Sequence, residues 1–133
     1  MVALCSLEKL VLNGCGAMSD RALCHISSIS SLTSLCLLWS KFTDVGLHYL
    51  TQLRSLEELE ISHCITIHSL QHISLMVSLR HLDLTGCYEL DDLELASLGA
   101  LGELRSLILK DCHFQDSCIA NSQLAKLSCT IMY

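Results

Sequence analysis

Nine cysteines and seven histidines give this 133-residue chain its only obvious chemical potential. Three adjacent pairs, Cys24-His25, His63-Cys64 and Cys112-His113, bring a thiol next to an imidazole in sequence. A thiol nucleophile needs its base within hydrogen-bond reach. Neighbours on an extended strand point to opposite faces, so adjacency argues against a dyad. His68 and His72 are four apart, a spacing that puts both on one helical face and can bind zinc. The segment His68-Ser69-Leu70-Gln71-His72 lacks the glutamate that follows the first histidine in the hydrolytic zinc motif. Leu70 and Ile73 take the core side of that helix and turn both histidines toward solvent. No two cysteines show the Cys-x-x-Cys spacing of common zinc and redox sites. An odd count leaves at least one unpaired within the chain. The better reading is free, mostly buried thiols in a reducing compartment, cytoplasmic or nuclear. A metal- or redox-active cysteine protein is the competing one.

The elements that position these residues follow from a repeat. Leu7-x-x-Leu10-x-Leu12-x-x-Cys15 recurs as Leu32-x-x-Leu35-x-Leu37-x-x-Ser40 and as Leu56-x-x-Leu59-x-Ile61-x-x-Cys64. Two further copies are Leu79-x-x-Leu82-x-Leu84-x-x-Cys87 and Leu104-x-x-Leu107-x-Leu109-x-x-Cys112, and the steps are 25, 24, 23 and 25 residues. The Leu-x-Leu centre of each unit alternates with period two, as a strand buried on one face must. Between strands, apolar residues fall every third position: Leu23, Ile26, Ile29; Leu47, Leu50, Leu53; Leu70, Ile73, Met76; Leu95, Leu98, Leu101. That spacing keeps them on one stripe of a helix. Asp20, Asp44, Asp91 and Asp92 stand just ahead of the stripes, where negative charge suits a helix N-terminus. One strand and one helix per unit predict a right-handed α/β solenoid, strands inside and helices outside. Residues 1–133 read as one such array, with partial units at both ends. Leu4 extends the spacing backward from Leu7, and the pattern decays after Leu124 and Leu127 toward a sixth strand near the end. Polar capping units are missing from both ends, which suggests further repeats or a covering partner there.

These motifs resemble the leucine-rich repeat family, in its cysteine-containing subtype, Leu-x-x-Leu-x-Leu-x-x-Cys-x-x-Ile-Thr-Asp. Met18-Ser19-Asp20, Thr43-Asp44, Leu90-Asp91-Asp92 and Phe114-Gln115-Asp116 match its tail. Ser40 and a shortened loop after Cys64 depart from it. The subtype occurs in F-box-type substrate receptors of ubiquitin ligases and in regulatory and scaffold proteins. The resemblance therefore implies a protein-binding module and admits a ligase receptor, although no segment here resembles an F-box.

Within that lattice the ninth-position residues Cys15, Ser40, Cys64, Cys87 and Cys112 form a structural ladder. A ladder projects its side chains in parallel, whereas tetrahedral metal ligation needs them to converge. Each thiol can bond the turning backbone, a contact of about 1 kcal/mol. Serine at Ser40 has a similar size and is the better donor. Strand residues between the leucines must face the concave surface. One row is Lys9, Ser34, Glu58, His81 and Ser106; the next is Val11, Cys36, Glu60, Asp83 and Ile108. Toward the strand exits follow Asn13, Leu38, Ser62, Thr85 and Lys110, then Gly14, Trp39, His63, Gly86 and Asp111. Cys36, Leu38, Trp39, Glu58, Glu60, His63, His81, Asp83 and Lys110 are accordingly the candidate partner-binding residues. Trp39, the only tryptophan, either anchors a partner, folds over its own loop or contacts flanking chain. Glu58, Glu60 and Asp83 complement a basic segment. Five strands span roughly 24 Å, enough for one helix or loop of a partner.

Composition bounds the remainder. The chain is 51% hydrophobic, 5% aromatic and 17% charged, with a net charge of -6. Such apolarity excludes a disordered segment. No apolar run nears the roughly 18 residues of a membrane-spanning helix, and the start lacks a signal-peptide pattern. Net acidity argues against nucleic acid. Nothing calls for a cofactor, and no residue set points to an enzyme. Proline is absent altogether.

Overall fold

The computed structural model describes residues 6–14, 16, 18–114 and 129–133. Six strands, β1 (Lys9–Asn13), β2 (Ser34–Leu38), β3 (Glu58–Glu60), β4 (His81–Asp83), β5 (Ser106–Ile108) and β6 (Thr130–Met132), form one parallel sheet in chain order. The register runs Lys9, Ser34, Glu58, His81, Ser106, Thr130 straight across the sheet. The two outward rows expected from the sequence are thus true rows. Leu4, Leu124 and Leu127 lie outside the described residues, whereas the sixth strand is present where the decaying pattern placed it.

The lattice leucines explain why the sheet holds. Those of the second to fifth units, with Ile61, are at most 3% exposed, while Leu7, Leu10 and Leu12 pack half-buried at the edge of the same core. Burying one such side chain contributes about 1.5–3 kcal/mol. The row just after each ninth-position residue, Met18, Phe42, Ile67 and Leu90, closes the core at the strand-exit end.

The connecting segments are shorter than the stripes suggested. Helices α1 (Asp20–Ile26), α2 (Asp44–Leu50) and α3 (Asp92–Leu95) end before the third stripe residue. Tight turns then carry Ile29 and Leu53 inward, and a 3₁₀ segment over Ala96–Ala100 follows α3. In the third unit only a 3₁₀ turn, Ile73–Leu75, forms. Strict spacing of three matches the 3.0 residues per turn of a 3₁₀-helix better than 3.6. That unit also has the shortest step, 23 residues, so less chain is available to wind. Leu70, Ile73 and Met76 are buried nonetheless.

Acidic side chains clamp neighbouring units together more than they cap their own helices. Asp20 accepts from the Thr43 N–H at 2.7 Å and its hydroxyl at 2.8 Å. Asp44 accepts from the backbone N–H groups of His68 and Ser69, and Glu94 from Ser69 Oγ and the Leu70 N–H. Asp91 does cap its own helix by side chain, through Leu93 and Glu94 N–H. Gly46 lets α2 sit against α1, since a Cβ there would lie 2.5 Å from Asp20 Oδ1 and 2.8 Å from Leu23 Cδ1.

Candidate functional site

The outward face of the sheet is a groove of about 560 Å³. Six candidates line it: Cys36, Leu38, Glu58, Glu60, His81 and Asp83, together with Lys9 at the β1 end and Ile108 toward the other. Strand alternation puts them there, because each flanks a buried leucine on its strand. Trp39, His63 and Lys110 do not line the groove; they stand beyond it, where the strands exit. The floor is acidic, with Glu58 exposed and Glu60 and Asp83 half-buried. Asp83 Oδ1 is engaged by the Thr85 N–H and hydroxyl. Cys36 Sγ donates to Glu60 Oε2 at 3.2 Å. Burial, then the bond to Glu60 and the charges of Glu60 and Asp83, push the Cys36 thiol up to about 12. It is a neutral donor at physiological pH, not a nucleophile.

The strand exits carry a feature that sequence reasoning missed. Gly14, Trp39, His63, Gly86 and Asp111 all have φ between 55° and 69°. Each of the first four donates its N–H to a carbonyl one unit on, at Leu38, Ser62, Thr85 and Lys110 respectively. One left-handed residue per unit thus ends each strand while extending the inter-strand ladder. Glycine takes this conformation freely, whereas other residues do so at a cost of about 1–2 kcal/mol. Gly14 and Gly86 at equal positions were the available signal. Trp39 and His63 fill the same position with rings that stack, centroids 4.1 Å apart and planes within 10°. The imidazole lies over Gly86, where any Cβ would collide with His63 Nδ1. Nδ1 is buried there with no hydrogen-bond partner among the described residues. Trp39 remains 61% exposed, so it neither enters the core nor folds fully over its loop.

The cysteine ladder runs on the opposite side of the strand ends. Cys87 Sγ reaches Ile61 O at 3.2 Å, Cys112 Sγ reaches Leu84 O at 3.1 Å, and Cys64 Sγ reaches Leu37 O at 3.5 Å. Each thiol therefore ties its unit to the sixth-position carbonyl of the preceding one. Ser40 Oγ contacts its own unit's Leu38 O, at 3.5 Å, and Cys15 lies outside the described residues. Burial raises all three thiols, Cys87 to about 12. Within the adjacent pairs, Cys64 turns inward while His63 stacks on Trp39, and Cys112 turns inward while His113 lies by Tyr88, 5.7 Å between centroids.

His68 and His72 are not brought together on a helix. His68 precedes the 3₁₀ turn, with its N–H held by Asp44, and the His72 ring packs edge-on against His48 at 5.0 Å. The shared helical face expected from their spacing is absent because the third unit forms no α-helix. Among the described residues no group of three or more histidine, cysteine or acidic side chains is placed to hold a metal ion. No helix among them is long and apolar enough to cross a membrane.

Solved structures place this architecture. An internalin (inlF) from Listeria monocytogenes superposes with a TM-score of 0.68 at 22% identity, over 83% of this chain and 30% of that one. Internalin C2 (inlC2) from the same organism gives 0.70 at 22% identity, over 93% and 50%. Internalins are leucine-rich repeat proteins. The fold is a leucine-rich repeat solenoid. This solenoid spans half or less of the length of those two internalins. No family profile and no curated protein matches the sequence. In leucine-rich repeat terms, the groove is the concave face of the array and the Trp39–His63 stack stands on its strand-exit rim.

Proposed function

We propose that the chain is a non-catalytic protein-interaction module that binds a partner on its concave face and attracts a basic segment of it. The observation that carries this reading is an open groove floored by Glu58, Glu60 and Asp83 beside an exposed tryptophan held in a costly backbone conformation. Carboxylates on a rigid parallel sheet keep their spacing without ordering on binding. Opposite charge on a partner speeds and orients its arrival. The structural role we assign to the ninth-position ladder is supported by its thiol-to-carbonyl bonds and raised pKa values, which leave those thiols neither nucleophilic nor convergent. The six described cysteines are all free, which suits a reducing, cytoplasmic or nuclear setting. The reading as one array with a covering partner at its β1 edge rests on the half-buried first-unit leucines. A ubiquitin-ligase receptor role rests on the repeat subtype alone.

A photo-crosslinking residue placed at Glu58, compared with one at Leu75 on the helix side, tests the proposal in native extract. The same protein should be captured at position 58, missed at 75, and lost when Trp39→Ala and Glu60→Lys are combined. Equal capture at both positions, or capture indifferent to the double substitution, overturns it.

A further inference from the structure

The rim stack and the acidic floor differ in chemistry, and together they restrict what a partner presents. One indole face of Trp39 lies flat on His63, and the 61% exposure of the residue leaves the other face open to solvent. His63 is itself fixed by lying over Gly86, so the indole is braced from behind. Glycine fills the same left-handed position at Gly14 and Gly86 without strain. A tryptophan here therefore does something its backbone position does not require. Indole is the best aromatic face for a cation, and a planar guanidinium stacks on it where a compact, strongly hydrated ammonium gains less. On the floor, Glu58 and Glu60 occupy alternate positions of β3, and Glu60 faces Cys36 across the sheet. Lys9 is the cation lining the groove, and it sits at the β1 end. Trp39 lies three residues beyond Cys36 along the chain, which is about 10 Å of extended backbone. A partner strand covers that distance in about three residues.

We propose that groove and rim together take an extended, arginine-bearing segment: one guanidinium stacks on the open face of Trp39, and a second cation, about three residues away, lies over Glu58 and Glu60. This rests on the concave-face reading above and adds which side chain the partner must bring. Arginine at the rim position distinguishes the clamp from simple attraction of any basic peptide.

Because Trp39 is the only tryptophan, its fluorescence reports on the proposed contact directly. The full chain is titrated with an acetylated Gly/Ser octapeptide carrying arginines at its third and sixth positions. Matched peptides carry lysine or citrulline there. The arginine peptide should perturb Trp39 emission saturably and bind about threefold or more tightly than the lysine peptide, with citrulline inert. Combining Glu58→Lys and Glu60→Lys should weaken it about tenfold or more. Trp39→Phe, followed by calorimetry with folding checked by circular dichroism, should abolish the preference for arginine over lysine while binding persists. Equal affinity for arginine and lysine peptides on the native chain overturns the clamp, as does a preference that survives Trp39→Phe. If neither peptide binds while crosslinking at position 58 still captures a partner, the arginine proposal fails alone. If that capture fails too, the concave-face reading falls with it.

Discussion

Replacing Gly86 with alanine strains the strand exit in two separable ways. Gly86 has φ of 69°, which a Cβ tolerates at a cost of about 1–2 kcal/mol. The new methyl would also collide with the His63 imidazole and push it off Trp39. Losing that stack removes a further 0.5–1.5 kcal/mol or so. The expected total is about 1.5–3.5 kcal/mol of destabilisation. Gly14→Ala is the matched control, since its φ is 66° and nothing lies within 4 Å of the added carbon. It should show only the backbone part, about 1–2 kcal/mol. Urea unfolding followed by far-ultraviolet circular dichroism gives the two values, with unchanged m confirming a common denatured state. Native Trp39 emission should shift in Gly86→Ala and stay put in Gly14→Ala. Equal destabilisation by both variants, with Trp39 emission unmoved, would refute the seating of His63 over Gly86 and the bracing of the rim with it.

Other consequences concern the lattice and its thiols. Gly46→Ala, which in an ordinary helix stabilises by up to about 1 kcal/mol, should instead lower the urea midpoint, because the methyl displaces Asp20 from its bonds to Thr43. Ser40→Cys should raise that midpoint by an amount worth about 0.5–1 kcal/mol, since sulfur reaches further toward the preceding unit than the hydroxyl does. Cys87 has its pKa raised from 9.0 to about 12 by burial, so the folded state disfavours its thiolate. Its contribution to stability is full below pH 9 and is lost as the pH climbs from 9 toward 12. Urea midpoints across that range should fall steeply for the native chain and less steeply for Cys87→Ala. Alkylation at pH 8 should mark exposed Cys24 quickly and leave Cys64 and Cys87 slow until urea unfolds the chain, as read by peptide mass spectrometry.

Much of the lattice was legible because each leucine both names its position and decides its burial. The outward rows followed from alternation alone, and the register reproduces Ser34–Glu58–His81 and Cys36–Glu60–Asp83 residue for residue. Helix length was not legible. A stripe such as Leu70, Ile73, Met76 is buried equally well by an α-helix and by 3₁₀ turns, so the side chains leave the backbone undetermined. The aspartates likewise announced helix starts, but Asp20 and Asp44 reach across to the next unit, a contact that depends on three-dimensional stacking. The strand-exit row was hidden because tryptophan and histidine stand where glycine would have signalled φ above zero. With that conformation known, the rim stack and its separation from the groove floor follow.

The central claim is that partner affinity resides on the concave face. The most direct measurement is isothermal titration of the partner captured through position 58 against the native chain, Glu58→Lys with Glu60→Lys, and Leu75→Asp on the helix side. The glutamate pair should lose about tenfold or more in affinity, shrinking as salt rises, and Leu75→Asp should keep native affinity. Undiminished affinity of the glutamate variant, or a larger loss from Leu75→Asp, would contradict it.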